Sequence, residues 1–141
     1  MALQTEYRDN LAPAVAGAQA TMIPATIISR NVEDEAGIGF GVGVSQGETD
    51  KGCVAGGTDF VGITLLDRSA MGPGDTFREG DSARVMTKGD IWVVAEAAVA
   101  AGDPVHMTAT GGFSNSGGTA IPNARWDTST TADGLAVVRL G

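Results

Sequence analysis

Ala83-Arg84-Val85-Met86-Thr87-Lys88-Gly89-Asp90-Ile91-Trp92-Val93-Val94 is the stretch on which the fold turns. Its first half alternates Ala83, Val85 and Thr87 with Arg84, Met86 and Lys88, the period-two signature of a strand with one face turned inward. Its second half, from Ile91, is apolar on both faces. That predicts a central strand, or one covered on its outer side by another segment or subunit. Between the halves, Lys88-Gly89-Asp90 reads as a hairpin turn, because glycine accepts positive φ and aspartate hydrogen-bonds to nearby backbone. Two strands, 82–87 and 90–96, are therefore expected.

The same pattern extends outward. From Ala25 on, short β-branched or apolar runs recur at intervals of about ten residues between Gly, Asp, Asn and Ser, the spacing of a β-sandwich or barrel. The other expected strands are 25–30, 38–44, 59–66, 104–109, 119–126 and 135–140. Val105, Met107 and Ala109 alternate with His106, Thr108 and Thr110, and Ala136, Val138 and Leu140 alternate with Val137 and Arg139. The reading is an all-β fold, a single β-sandwich or barrel-like domain of about eight short strands. Gly-Asp at 74, 80, 89 and 102 and Asp133-Gly134 mark turns. Gly37, Gly39, Gly41 and Gly43 would leave one face of a strand bare, open to another backbone or to Trp92 or Trp126. Residues 95–101 are alanine-rich enough to predict at most two turns of helix before Gly102-Asp103-Pro104.

Residues 1–24 differ. Alanine occupies positions 12, 14, 16, 18 and 20, while Pro13, Gly17 and Pro24 interrupt any helix. In an extended chain those alanines share one face and allow close approach to another surface. The alternative is a terminus with few contacts. Leu3, Tyr7, Leu11, Val15 and Ile23 favour an arm that orders on a partner or a neighbouring subunit. The expected organisation is an extended N-terminal arm, 1–24, followed by a β domain, 25–141.

The 141 residues carry 9 Lys and Arg against 17 Asp and Glu, a net charge of −8. No basic cluster exists to neutralise phosphates, so no nucleic-acid partner is expected. No apolar run reaches the length of a membrane span and no signal-peptide pattern opens the chain, so no membrane is expected either. A lone cysteine, Cys53, excludes an internal disulfide and a paired-cysteine metal site.

Candidates for chemistry are few. His106 alternates with threonines on a polar face and reads as an exposed strand histidine. Cys53 would need His106 as its base to act as a nucleophile, and a small semi-buried or loop thiol is the simpler reading. Glu33-Asp34-Glu35, with Glu48 and Asp50, is the densest acidic region, but it lacks a calcium-loop pattern and reads as a solvated loop, with weak cation binding as the alternative. The aromatic residues Phe40, Phe60, Phe77, Phe113, Trp92 and Trp126 could form a sugar platform, yet a β core needs several of them. Phe40, Trp92 and Trp126 are the interface or packing candidates. No catalytic residue, metal or cofactor is expected, and the chain reads as a non-enzyme.

Several segments resemble the capsid decoration, or structural cement, proteins of tailed bacteriophages: residues 11–17 (Leu-Ala-Pro-Ala-Val-Ala-Gly), Gly39-Phe40, Phe60-Val61-Gly62-Ile63, and residues 99–105 leading to Gly111-Gly112-Phe113-Ser114. They occur in that family's order and span most of the chain. The resemblance implies a virion protein on the outer surface of a phage head, assembled in the host cytoplasm, that stabilises the shell by bridging neighbouring major capsid protein subunits. It implies a homo-oligomer, with a trimer favoured over a dimer, and contacts through the arm residues Leu3, Tyr7, Leu11, Pro13, Val15 and Ile23. The other reading is a β-sandwich carbohydrate- or host-surface-binding module of a phage tail or fibre.

Overall fold

The computed structural model of the protein describes residues 14–70, 72 and 76–141. Nine strands are present: β1 (Thr26–Val32), β2 (Gly43–Gln46), β3 (Gly52–Ala55), β4 (Phe60–Thr64), β5 (Ser82–Val94), β6 (Pro104–Met107), β7 (Phe113–Ser114), β8 (Thr119–Trp126) and β9 (Leu135–Leu140). Their order is β1-β3-β2-β4-β5-β9-β8-β6-β7, and β1 pairs in addition with β5. That last pairing closes the first five strands into a small barrel. The fold is all-β, as the spacing of the apolar runs predicts.

The expected hairpin at Lys88-Gly89-Asp90 does not form. β5 runs unbroken through 13 residues. A hairpin would pair the two halves with each other. Instead the first half pairs with β1 and β4, and the second, from Gly89 to Val94, pairs with β9. The glycine serves a different purpose from a turn. Its φ is +131°, and a Cβ there would lie 2.9 Å from the Cβ of Ala25. A bare, left-handed residue lets one strand pass from one sheet into the next beneath a crossing segment.

Sharing β5 also explains a departure from the expected alternation. Val85 enters a core with Val32, Ile38, Val44, Cys53, Phe77 and Ala83. Its neighbour Met86 points the opposite way yet is equally buried, in a second core with Ile63, Ile91, Met107, Phe113, Trp126 and Val138. Both faces of the strand are covered, so its pattern of burial is not simply period-two.

Two further expectations are corrected. Residues 38–44 are not one strand: Gly37 and Gly41 have φ of +82° and +69°, and only Gly43 and Val44 join β2. The bare glycine nonetheless receives a backbone, because a Cβ on Gly41 would lie 2.8 Å from the Gly17 nitrogen. Residues 95–101 form no helix. Seven residues nucleate a helix poorly, and here the chain bonds sideways: Ala95 N–H to Gly134 O (2.9 Å), Glu96 N–H to Phe113 O (2.8 Å) and Val99 N–H to Thr130 O (3.0 Å). β3 and the two-residue β7 fall in glycine-rich stretches where no apolar run announces them.

Candidate functional site

The residues with chemical potential are placed where they can do little chemistry. Cys53 is buried on β3, and its thiol is pushed up to about 11, first by burial and then by the nearby Asp34 and Glu33 carboxylates. It stays protonated at neutral pH, the unreactive form. His106 lies on β6 in the other sheet, half-buried, with its Nδ1 buried and without a hydrogen-bond partner. No hydrogen bond joins the two among the described residues.

The acidic segment is engaged by its own backbone. The Glu33 carboxylate accepts from the Glu48 N–H (3.0 Å) and from the Thr49 N–H and hydroxyl (3.5 and 3.3 Å). Asp34 accepts from the Ala55 N–H at 2.8 Å. These carboxylates fasten the turn after β1 to the β2–β3 turn and to β3. Among the described residues no group of three or more His, Cys, Asp or Glu could hold a metal ion.

The most highly built polar cluster is one the sequence disguised as a turn. Asp90 has a fully buried side chain, and Arg139 on β9 grips it with two hydrogen bonds, Nε to Oδ1 at 2.9 Å and Nη2 to Oδ2 at 3.0 Å. Asp127 stands 3.8 Å from the same guanidinium. Thr21 donates its hydroxyl to Asp90 Oδ2 at 2.8 Å. The Arg139 hydrogen bonds hold the Asp90 carboxyl below its ordinary value, against the opposing pull of burial, with Thr21 assisting.

That cluster fixes the segment leading into β1. Gly17 N–H bonds to Trp92 O (2.8 Å), Trp92 N–H to Ala18 O (2.9 Å) and Ala20 N–H to Asp90 O (3.0 Å), so residues 17–20 lie antiparallel beside β5. Leu66 N–H bonds in turn to Gly17 O at 2.8 Å. The small residues Ala16, Gly17, Ala18 and Ala20 make this close approach sterically possible.

Of the arm residues singled out in the sequence, Leu3, Tyr7, Leu11 and Pro13 lie outside the described residues. Val15 is 56% exposed and Ile23 is half-buried. Between them Met22 is 100% exposed, and the sequence reading missed it. Phe40 is half-buried and meets Phe77 edge-on at 5.3 Å. Trp92 is half-buried on β5, where its backbone holds Gly17 and Ala18. Trp126 is wholly buried, its Nε1 donating to Ser114 O at 3.2 Å, so it packs the second core. A shallow groove of about 280 Å³ is lined by Ala16, Phe40, Val42 and Val94, with Glu96 and Thr110 at its polar side. Shallow apolar surface beside a backbone-bonded arm suits docking on another macromolecule better than enclosing a reactant.

Comparison with known proteins agrees with this chemistry. The model of a family described as structural cement protein (E217 gp24/Pam3 gp6) matches residues 3–141. In fold the chain is similar to a chain in the capsid of Myoviridae phage XM1, with a TM-score of 0.75 and 20% identity over 100% of this chain and 98% of that one. It also aligns with the N base of head fiber gp8.5 of bacteriophage phi29, at a TM-score of 0.48 and 10% identity over 84% and 95% of the two chains. No curated protein matches.

Proposed function

The chain belongs to the structural cement proteins, and so has a structural, capsid-stabilising role in a phage virion; from that premise we propose that it binds the outer surface of the head and bridges neighbouring major capsid protein subunits. The observation that carries this reading is the family match over residues 3–141 together with an apolar, partly exposed segment laid beside β5. A shell presents the same site many times, so modest contacts at each copy add up to durable binding. A net charge of −8 favours the side of the shell away from packaged DNA, and basic patches on the outer capsid face would steer docking. Assembly in the host cytoplasm fits a chain with one, buried, cysteine.

The chain acts as a homo-oligomer, a trimer in preference to a dimer, with residues 1–24 as the contact arm and 25–141 as the β domain. Cyclic symmetry suits a local symmetry axis of the shell. It is not an enzyme, a reading supported by the protonated Cys53 thiol and the separation of Cys53 and His106 into different sheets.

The test is a pair of truncations. Removing residues 1–13 leaves the bonds of residues 17–20 to β5 in place, so thermal stability should hold while co-sedimentation with expanded heads weakens. Removing residues 1–20 strips those bonds as well and should lower both. Undiminished decoration by the shorter deletion would remove residues 1–13 from the contact, undiminished decoration by the longer one would show that the arm is not the contact, and a monomeric mass in solution would remove the trimer.

A further inference from the structure

The polar groups around one groove are conspicuous for having no task within the fold. The groove, of about 740 Å³, is lined by the beginning of β4, the end of β9 and the first half of β8, with Gln46 of β2 and Thr87 of β5 at its edge. Phe60 and Val61, both half-buried, and the exposed Pro122 supply apolar surface. Asp59, Asn123, Thr58 and Thr119 ring it, and among the described residues no hydrogen bond engages any of these four side chains. Six other carboxylates, Glu33, Asp34, Asp67, Asp81, Asp90 and Asp103, accept hydrogen bonds from the chain, whereas Asp59, like the exposed Glu35, Glu48, Asp50, Glu79, Glu96 and Asp133, keeps its carboxylate available to solvent or a ligand.

The backbone is deformed to present one of these groups. On β8, Arg125 lies opposite Pro104 and Ala120 opposite His106, so residues 121–124 swell out of the ladder. Asn123, at the crest, holds a φ of +60°, a left-handed conformation that a non-glycine residue adopts at some cost. Bulges of this kind re-aim a side chain, and strained residues persist where the surroundings demand them. Gln46, on the same rim, has its amide nitrogen fixed by Thr49 O and Asp50 O, which orients its carboxamide.

A carboxylate and a carboxamide together offer the acceptor and donor pair that adjacent hydroxyls require, the threonines add adaptable groups, and the half-buried Phe60 beside them supplies apolar aromatic surface for the C–H groups of a pyranose ring. No Lys or Arg lines the groove, and Asp59 together with the net charge of −8 disfavours an anion. We propose that this groove is a binding site for neutral oligosaccharide. The site is open, so single-copy binding is weak. On a decorated head, repetition would convert it into adhesion to a glycan-bearing surface, a consequence that rests on the capsid reading, whereas the site itself does not.

The test uses the free full-length protein, so it stands apart from any assay on heads. Cellotetraose, maltotetraose and chitotetraose at millimolar concentration are titrated against the isotope-labelled chain, with a galacturonic acid tetramer as the charged comparison. At least one neutral sugar should shift the amide resonances of Thr58, Asp59, Thr119, Ala120 and Asn123. Asp59→Ala combined with Asn123→Gly, which keeps the left-handed backbone available, should weaken that binding by about tenfold or more. An unchanged Trp126 indole resonance verifies that the variant is folded. The proposal is overturned by silence from all three neutral sugars, by shifts outside the groove, by equal binding of the acidic tetramer, or by a folded double variant that binds as well as the parent.

Discussion

The two sheets that share β5 close in different ways. The first, built from β1 to β5, is sealed by a backbone ladder: Thr26 to Asn31 of β1 pair along Ser82 to Lys88, and the ring encloses small or branched side chains such as Ala83, Val85, Val44 and Cys53. Among the described residues Phe77 is the one fully buried aromatic ring packed with them. The second has no such ladder across its last gap. Ala95 meets Phe113 through a single parallel bridge, and Trp126, Phe113 and Met107 fill the space between its strands. One ring is held closed by hydrogen bonds and the other by bulky side chains, so equal losses of side-chain volume should not have equal consequences.

The strongest way to break this contrast is at Trp126. Trp126→Ala removes the largest fully buried side chain and leaves Ser114 O without its indole donor, a loss of about 3–5 kcal/mol. A chemical-denaturation curve should show the midpoint falling accordingly. A loss under about 1 kcal/mol would mean that the second ring does not depend on its filling.

A smaller effect is expected where the rings join. Gly89→Ala places a Cβ within 2.9 Å of Ala25 at a φ of +131°, which costs about 1–3 kcal/mol. Because β5 belongs to both sheets, parent and variant should each unfold in one transition, with the combined fluorescence of Trp92 and Trp126 and far-ultraviolet dichroism coinciding. Separate transitions would show that the two rings are independent units.

Acid tests the link between the second ring and the segment beside it. The folded-state pKa of Asp90 lies below its ordinary value of 3.8, so the stabilisation from Arg139 and Thr21 is fully present above that value. It is lost as pH falls through the lower, folded-state pKa. Denaturation midpoints measured downward from neutral pH should fall in that acid range, and Thr21→Val should reduce the fall modestly while leaving the Arg139 pair intact. An identical pH profile for Thr21→Val would dissociate the arm from the cluster.

How far the sequence could be read follows the same division. Alternation exposes strands with one wet face, which is why β1, β6 and β8 were legible, while β4 and β9 were legible as apolar runs bounded by turn residues. β5 was cut in two because Gly89 has the composition of a turn, while its actual use depends on Ala25, distant in sequence and invisible to local pattern. Alanine at 95–101 favoured a helix until partners such as Phe113 and Thr130 offered the backbone better bonds. The capsid-stabilising role was legible in the family-like segments. The groove was not, since its residues come from β2, β4, β5, β8 and β9 and only the closed sheets assemble them.

The smallest expected effect lies inside the first ring. Cys53→Ala deletes one sulfur atom from a core whose closure rests on backbone bonds, so the cost should be about 1 kcal/mol. With the thiol pushed up to about 11 and its side chain buried, roughly one molecule in a thousand carries the thiolate at pH 8. An aromatic disulfide reagent should therefore leave the native chain unmodified and label it fully in denaturant. Rapid labelling of the native chain would require the barrel to open far more often than a ring closed by its own ladder permits, and the contrast between the two rings would then have to be reversed.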